Sequence, residues 1–91
     1  MESAIENPVV AHAERAGYFV RKVGWVGRKS APDRVFSRAD RGTVWIEFKD
    51  KGEVPTRLQT REHERMRAAG MEVHVCDNIT EALRVLWLTN E

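Results

Sequence analysis

The sequence predicts an α/β domain whose elements run α-β-β-β-α-β-α, one sheet with helices available for both of its faces. Three observations carry that expectation. Three segments repeat apolar residues at helical spacing, four short runs have the β-branched and aromatic content of strands, and glycine or capping residues punctuate the joins. With 91 residues the chain is expected to be a single domain over 1–91, with a core too small to waste positions.

The first helix is expected within residues 2–16, where Ile5, Val9, Ala13 and Ala16 share a face and Gly17 supplies the C-terminal stop. Pro8 suits only a first turn, so a start with Asn7 as cap and Pro8 at the first helical position competes with an earlier one. Residues 18–23 read as a strand leading into a basic, glycine-bearing loop, "GWVGRKSAP". Residues 33–38 make the second strand, "ADRG" is a turn, and "TVWIEFK", 43–49, is the third strand. After Gly52 the second helix lies in "PTRLQTREHERMRAAG", with Leu58, Glu62, Arg65 and Ala69 on one face beside Met66; Thr56 and Gln59 have capping-box form. "MEVHVC" is a fourth strand with Met71, Val73 and Val75 on one face. The third helix starts from Asn78, with Glu81 as its capping-box partner, and ends near Leu88.

Bulk composition excludes some function classes. Lys and Arg total 15 against 14 for Asp and Glu, so the net charge of +1 does not announce a nucleic-acid partner. Arginine supplies most of the positive charge, however, and its planar fork suits phosphate. The single cysteine, Cys76, excludes an internal disulfide and fits a buried thiol in a reducing compartment. No apolar run approaches the roughly 20 residues that cross a bilayer, and the N-terminus lacks a signal-peptide pattern. No membrane partner is expected, and a cytoplasmic location, bacterial or phage-encoded, is.

The chemistry concentrates in "SAPDRVFSRADRGTVWIEFKDKG", residues 30–52. Alternation along the third strand sends Val44, Ile46 and Phe48 one way and Thr43, Trp45, Glu47 and Lys49 the other. Glu47 and Lys49 then share a face, roughly 6.6 Å of rise apart, and a short meander can bring Asp33 beside Glu47. Two carboxylates held together repel unless a proton or cation lies between them, and oxygen ligands of this kind suit Mg2+ or Mn2+. A lysine at that distance supplies the other half of a phosphodiester site, orienting water and countering charge on the phosphate.

"APDR" followed by "IEFK" resembles the Pro-Asp, then Glu-x-Lys signature of the PD-(D/E)XK nucleases, and the ordered set resembles their small stand-alone VRR-NUC members. The likeness covers nearly the whole chain: a helical glutamate, "PDR", "EFK", a glutamine opening the next helix, then "AAGMEVHVC". It implies a restriction endonuclease-like core, a mixed central sheet flanked by helices, and a Mg2+- or Mn2+-dependent endodeoxyribonuclease. By the same resemblance Asp33 and Glu47 are metal-binding carboxylates, the main-chain carbonyl of Phe48 a further ligand, Lys49 the catalytic lysine and Gln59 an auxiliary active-site residue. A helix glutamate is implied as well: Glu6, with Glu2 in reserve. The chain departs from the usual pattern at Ser30, where glycine is common, and at the Asn7-Pro8 pair. The implied substrate is branched DNA such as a Holliday junction.

Around this core, Arg28 and Lys29 in the first loop, Arg34 within "PDR", and Lys51, Arg57 and Arg61 near the second helix are candidate phosphate contacts. His12, His63 and His74 show no zinc spacing and read as incidental, with His63 the one nearest substrate. In the last helix Ile79, Leu83 and Leu86 make a stripe, and Val85, Trp87 and Leu88 widen it beyond what a lone surface helix needs. A homodimer through this C-terminal region is expected, against packing within one chain. The competing function is a non-catalytic nucleic-acid-binding module that keeps the fold. A protein that only assembles with larger partners is a third reading, resting on the last helix alone.

Overall fold

The computed structural model describes residues 1–89; the last two residues of the expected domain lie outside the described residues. The elements are α1 (Ser3–Arg15), β1 (Phe19–Lys22), β2 (Arg34–Arg38), β3 (Gly42–Phe48), α2 (Arg57–Ala68), β4 (Val73–Cys76) and α3 (Ile79–Val85), in the expected order. The strands lie in the order β1-β2-β3-β4. The short turns make β1, β2 and β3 an antiparallel meander, whereas α2 carries the chain back so that β4 runs parallel to β3. The sheet is therefore mixed, and β3 is the strand on which both halves meet.

α1 and α3 cover one face. Val9 and Ala13 of α1, Val20, Phe36, Val44, Ile46, Phe48 and Cys76 of the sheet, and Ala82, Leu83 and Leu86 form one buried cluster there. Phe36 meets Tyr18 and Phe48 at centroid distances of 6.4 Å each, edge to face. The Tyr18 hydroxyl donates to the Leu86 carbonyl at 2.5 Å, joining the start of the sheet to the end of α3.

Of the two competing starts for α1 the earlier holds: the helix begins at Ser3 and contains Pro8. Proline removes one hydrogen bond to the carbonyl four residues back, and here both Pro8 and Ala4 are exposed, so water can serve that carbonyl while buried Val9 and Ala13 hold the helix down. The buried face of α2 is Glu62, His63 and Met66; Leu58, Arg65 and Ala69 are exposed. The sheet beneath α2 presents buried Glu47 and Lys49 beside Trp45 and Val73, so polar side chains share the packed face and apolar spacing gave the wrong rotation. β4 begins at Val73, because Gly70, at φ +92°, turns the chain and leaves Met71 outside the strand.

Helix α3 ends at Val85 with Leu86 as its cap, a turn short of the expected end. Val85 and Leu88 pack partly buried against the core, so most of the apolar excess is absorbed within the chain. Trp87 remains 60% exposed. Its left-handed backbone, φ 60°, is held where Arg41 lies over the ring at 4.8 Å. Arg41 also donates to the Val85 carbonyl at 3.0 Å and grips both Glu72 carboxylate oxygens.

Candidate active site

The alternation of β3 is realised. Val44, Ile46 and Phe48 are fully buried on the α1 and α3 side, and Trp45, Glu47 and Lys49 face α2. Arg34 pairs with Ile46 in the β2–β3 register, so Asp33, one residue earlier, stands beside Glu47. The main-chain N–H of Phe48 donates to Asp33 Oδ2 at 2.7 Å, which fixes the aspartate against the backbone between Glu47 and Lys49.

Glu47 is only 3% exposed. Its Oε2 accepts from Gln59 Nε2 at 3.2 Å and lies 3.6 Å from Lys49 Nζ. Gln59 also closes the capping box: its Oε1 accepts from the Thr56 N–H at 2.8 Å while Thr56 Oγ1 accepts from the Gln59 N–H at 3.2 Å. The cap therefore fixes the orientation of the side chain that holds the carboxylate. Burial, and then the charge of Asp33, push the Glu47 carboxyl up to about 7, against the pull of Lys49. Asp33 is also raised, chiefly by burial, with the Phe48 N–H opposing and Glu6 adding to it.

His63 was read as incidental and is not peripheral. It is 1% exposed, and its Nε2 lies 4.0 Å from Glu47 Oε1; both atoms are buried without a hydrogen-bond partner. Burial first, then Arg67 and Lys49, lower the imidazole's affinity for a proton, so it faces Glu47 as a neutral ring rather than as an ion pair. The signal was in the sequence: Gln59, Glu62, His63 and Met66 follow the i, i+3, i+4, i+7 pattern of one helix face.

Among the described residues no three His, Cys, Asp or Glu side chains cluster tightly enough to hold an ion alone. Two carboxylates with a main-chain carbonyl, completed by water, remain a suitable donor set for a hard divalent cation. The orphaned Glu47 Oε1 and the mutual repulsion of Asp33 and Glu47 are the features such a cation would relieve.

The other candidates divide. Glu6 is held by Arg34 at 2.6 Å, an ion pair that occupies both residues and leaves Arg34 only 21% exposed. Glu2 acts on Glu47 only through space. Arg28, Lys29 and Arg61 line one cleft together with Gln59, whereas Lys51 and Arg57 are exposed outside its wall. Sequence reasoning missed Arg65 in that cleft and Glu62 behind it, which meets Arg28 at 3.5 Å and Arg65 at 3.7 Å.

No family model matches the sequence. The chain is 35% identical over 77 residues to the protein named "Putative nuclease p44" of Acyrthosiphon pisum secondary endosymbiont phage 1, covering 85% of this chain and 83% of that one. It is similar to a solved structure described as "VRR_NUC domain", with a TM-score of 0.84 and 31% identity over 94% of both chains. A second, "VRR_NUC domain protein", superimposes with a TM-score of 0.79 over 96% of this chain and 85% of that one; at 17% identity it bears on the fold alone. Fold and sequence likeness agree, and the chain belongs to the VRR-NUC nuclease domain family.

Proposed function

We propose that the chain is a divalent-metal-dependent DNA endonuclease, a single domain over 1–91, that selects DNA by backbone shape and cuts branched forms such as a four-way junction. The observation that carries the reading is half-buried Asp33 beside buried Glu47, with Lys49 Nζ 3.6 Å from the glutamate. A pure binder gains nothing from buried carboxylates turned toward phosphates.

Asp33, Glu47 and the Phe48 carbonyl would hold Mg2+ or Mn2+, with Glu6 reaching in from α1 and Glu2 in reserve. Such an ion supplies Lewis acidity at the phosphate and a more acidic water. Lys49 orients the attacking water and neutralises charge that develops on the phosphoryl oxygens. Gln59 fixes the rotamer of Glu47, and His63 closes the space beside its unpartnered oxygen. Arg28, Lys29, Arg61 and, further out, Lys51 and Arg57 take the DNA backbone, and Arg34 joins them when it releases Glu6.

Two copies joined through the C-terminal region would present paired sites to a symmetric junction. Exposed Trp87 supports that arrangement; a monomer mass by light scattering at micromolar concentration would contradict it. A cytoplasmic setting, bacterial or phage-encoded, fits the thiol of Cys76, which burial pushes up to about 12 and so keeps unreactive. The competing reading is a binding module without hydrolysis. Incubating a labelled junction and a matched linear duplex with Mn2+ separates them: cutting of the junction by the wild type and not by Lys49→Ala supports the nuclease, and equal results with both proteins refute it.

A further inference from the structure

The loop between β1 and β2 and the entrance of α2 face each other across a cleft of about 660 Å3. Arg28 and Lys29 line it from the loop, and Arg61 and Arg65 from the helix. Gln59 also lines it, and Gln59 Nε2 holds Glu47 Oε2 at 3.2 Å, so one side chain links the cleft to the candidate catalytic carboxylate. Glu62, behind the walls and 12% exposed, ties Arg28 to Arg65 and sets the spacing between them.

An electrostatic groove for a DNA backbone needs only the cations. This one also carries Leu58, 68% exposed, and at its rim Val26, fully exposed beside Gly27, whose φ of +74° turns the loop tip. Isolated exposed apolar residues are ordinary, but an exposed leucine inside a cleft with four cations is a different setting. Stacked bases in a duplex present edges that are polar apart from the thymine methyl, whereas an unstacked base presents a whole apolar face. The volume also lies within the about 300–1,000 Å3 of small-ligand sites, room for a displaced nucleotide and not for a base-paired segment.

We infer that this cleft receives one unpaired nucleotide of the DNA beside the scissile phosphate, its base packed on Leu58 and its flanking phosphates held by Arg28, Lys29, Arg61 and Arg65. The inference rests on the nucleic-acid reading of the site and adds the source of its selectivity. A base that is already unpaired enters without the cost of unstacking, so a branch point, gap or flap is favoured over intact duplex by about tenfold or more. Selection then requires no contact that reads sequence.

The test places 2-aminopurine, fluorescent when unstacked, at successive positions around the branch of a junction, bound by wild-type protein in EDTA so that no cutting occurs. Binding is followed in parallel by anisotropy. A several-fold rise in fluorescence at one position next to the branch is expected, and it is lost in Leu58→Ser at protein concentrations that anisotropy shows to saturate the junction. Leu58 is exposed, so that substitution leaves the fold intact. Binding without a fluorescence rise at any position, a rise unchanged by Leu58→Ser, or no binding at all overturns the inference. Cleavage of the same oligonucleotides with Mn2+ keeps the two readings apart. Cutting without the fluorescence rise removes the nucleotide subsite and leaves the nuclease; the rise without cutting does the reverse.

Discussion

Under α1 and α3, the side chains of Val44, Ile46 and Phe48 are fully buried among Phe36, Leu83 and Leu86. On the opposite face of the same strand, under α2, the buried side chains include Glu47, Lys49, Glu62 and His63. Among the described residues, the buried side-chain nitrogen and oxygen atoms without a hydrogen-bond partner are Trp25 Nε1, Glu47 Oε1 and His63 Nε2. All belong to the α2 side, where Trp25 meets Trp45 at 5.9 Å. A domain this small concentrates its apolar burial on one face, and that surplus offsets the desolvated charge on the other. Stability and chemistry are thus divided by the parity of one strand.

The largest effect that could break this comparison is on the apolar face. Phe36→Ala should lower unfolding free energy by about 3–5 kcal/mol in a urea titration, enough to leave much of a 91-residue chain unfolded. Lys49→Ala should instead leave the urea midpoint near wild type and lower the junction-cleavage rate by about 10²–10³-fold. Equal loss of stability in both variants would dissolve the distinction between the faces.

His63→Ala sharpens the comparison within the polar face. Residues that orient a metal ligand typically contribute about 10–100-fold in affinity, and a loss of that size in Mn2+ binding is expected, with partial rescue by His63→Gln. Unchanged affinity would reduce His63 to packing. Arg41→Ala tests the apolar side's polar rim and should cost about 1 kcal/mol, because solvent screens the half-exposed Glu72 end of the pair.

Two carboxylates should respond to pH with opposite signs. Glu47 is raised in the fold to about 7, so in EDTA its contribution is fully present below the unfolded value near 4.5 and is lost as pH rises toward 7. Glu72 is lowered to about 2 by Arg41, with His74 also hydrogen-bonded to it. Its stabilisation is present above about 4.5 and is lost as pH falls toward 2. Thermal melts across this range with Glu47→Gln and Glu72→Gln check both signs: the first should flatten the upper limb and the second the lower.

Much of the site was legible because strand parity is strict. Placing Glu47 and Lys49 on one face required only the alternation of residues 43–49, and Thr56 with Gln59 announced the cap that orients the glutamine. The α2 face was only partly legible to apolar spacing because it packs Glu62 and His63, beside Met66, toward Glu47 and Lys49, whereas hydrophobic periodicity pointed also to Leu58 and Ala69. Pro8 left two helix starts open, since the bond it removes lies on a wet side that the sequence does not reveal. The pairing of Glu6 with Arg34 joins residues far apart in the chain and had no local signature.

Half-buried Asp33 and buried Glu47 are proposed to hold a divalent cation together. Isothermal titration of the wild type with Mn2+ at neutral pH, beside Asp33→Asn and Glu47→Gln, tests that joint role most directly. The account predicts saturable binding by the wild type that both substitutions abolish or weaken by at least about tenfold; no binding, or binding unchanged in the two variants, would contradict it.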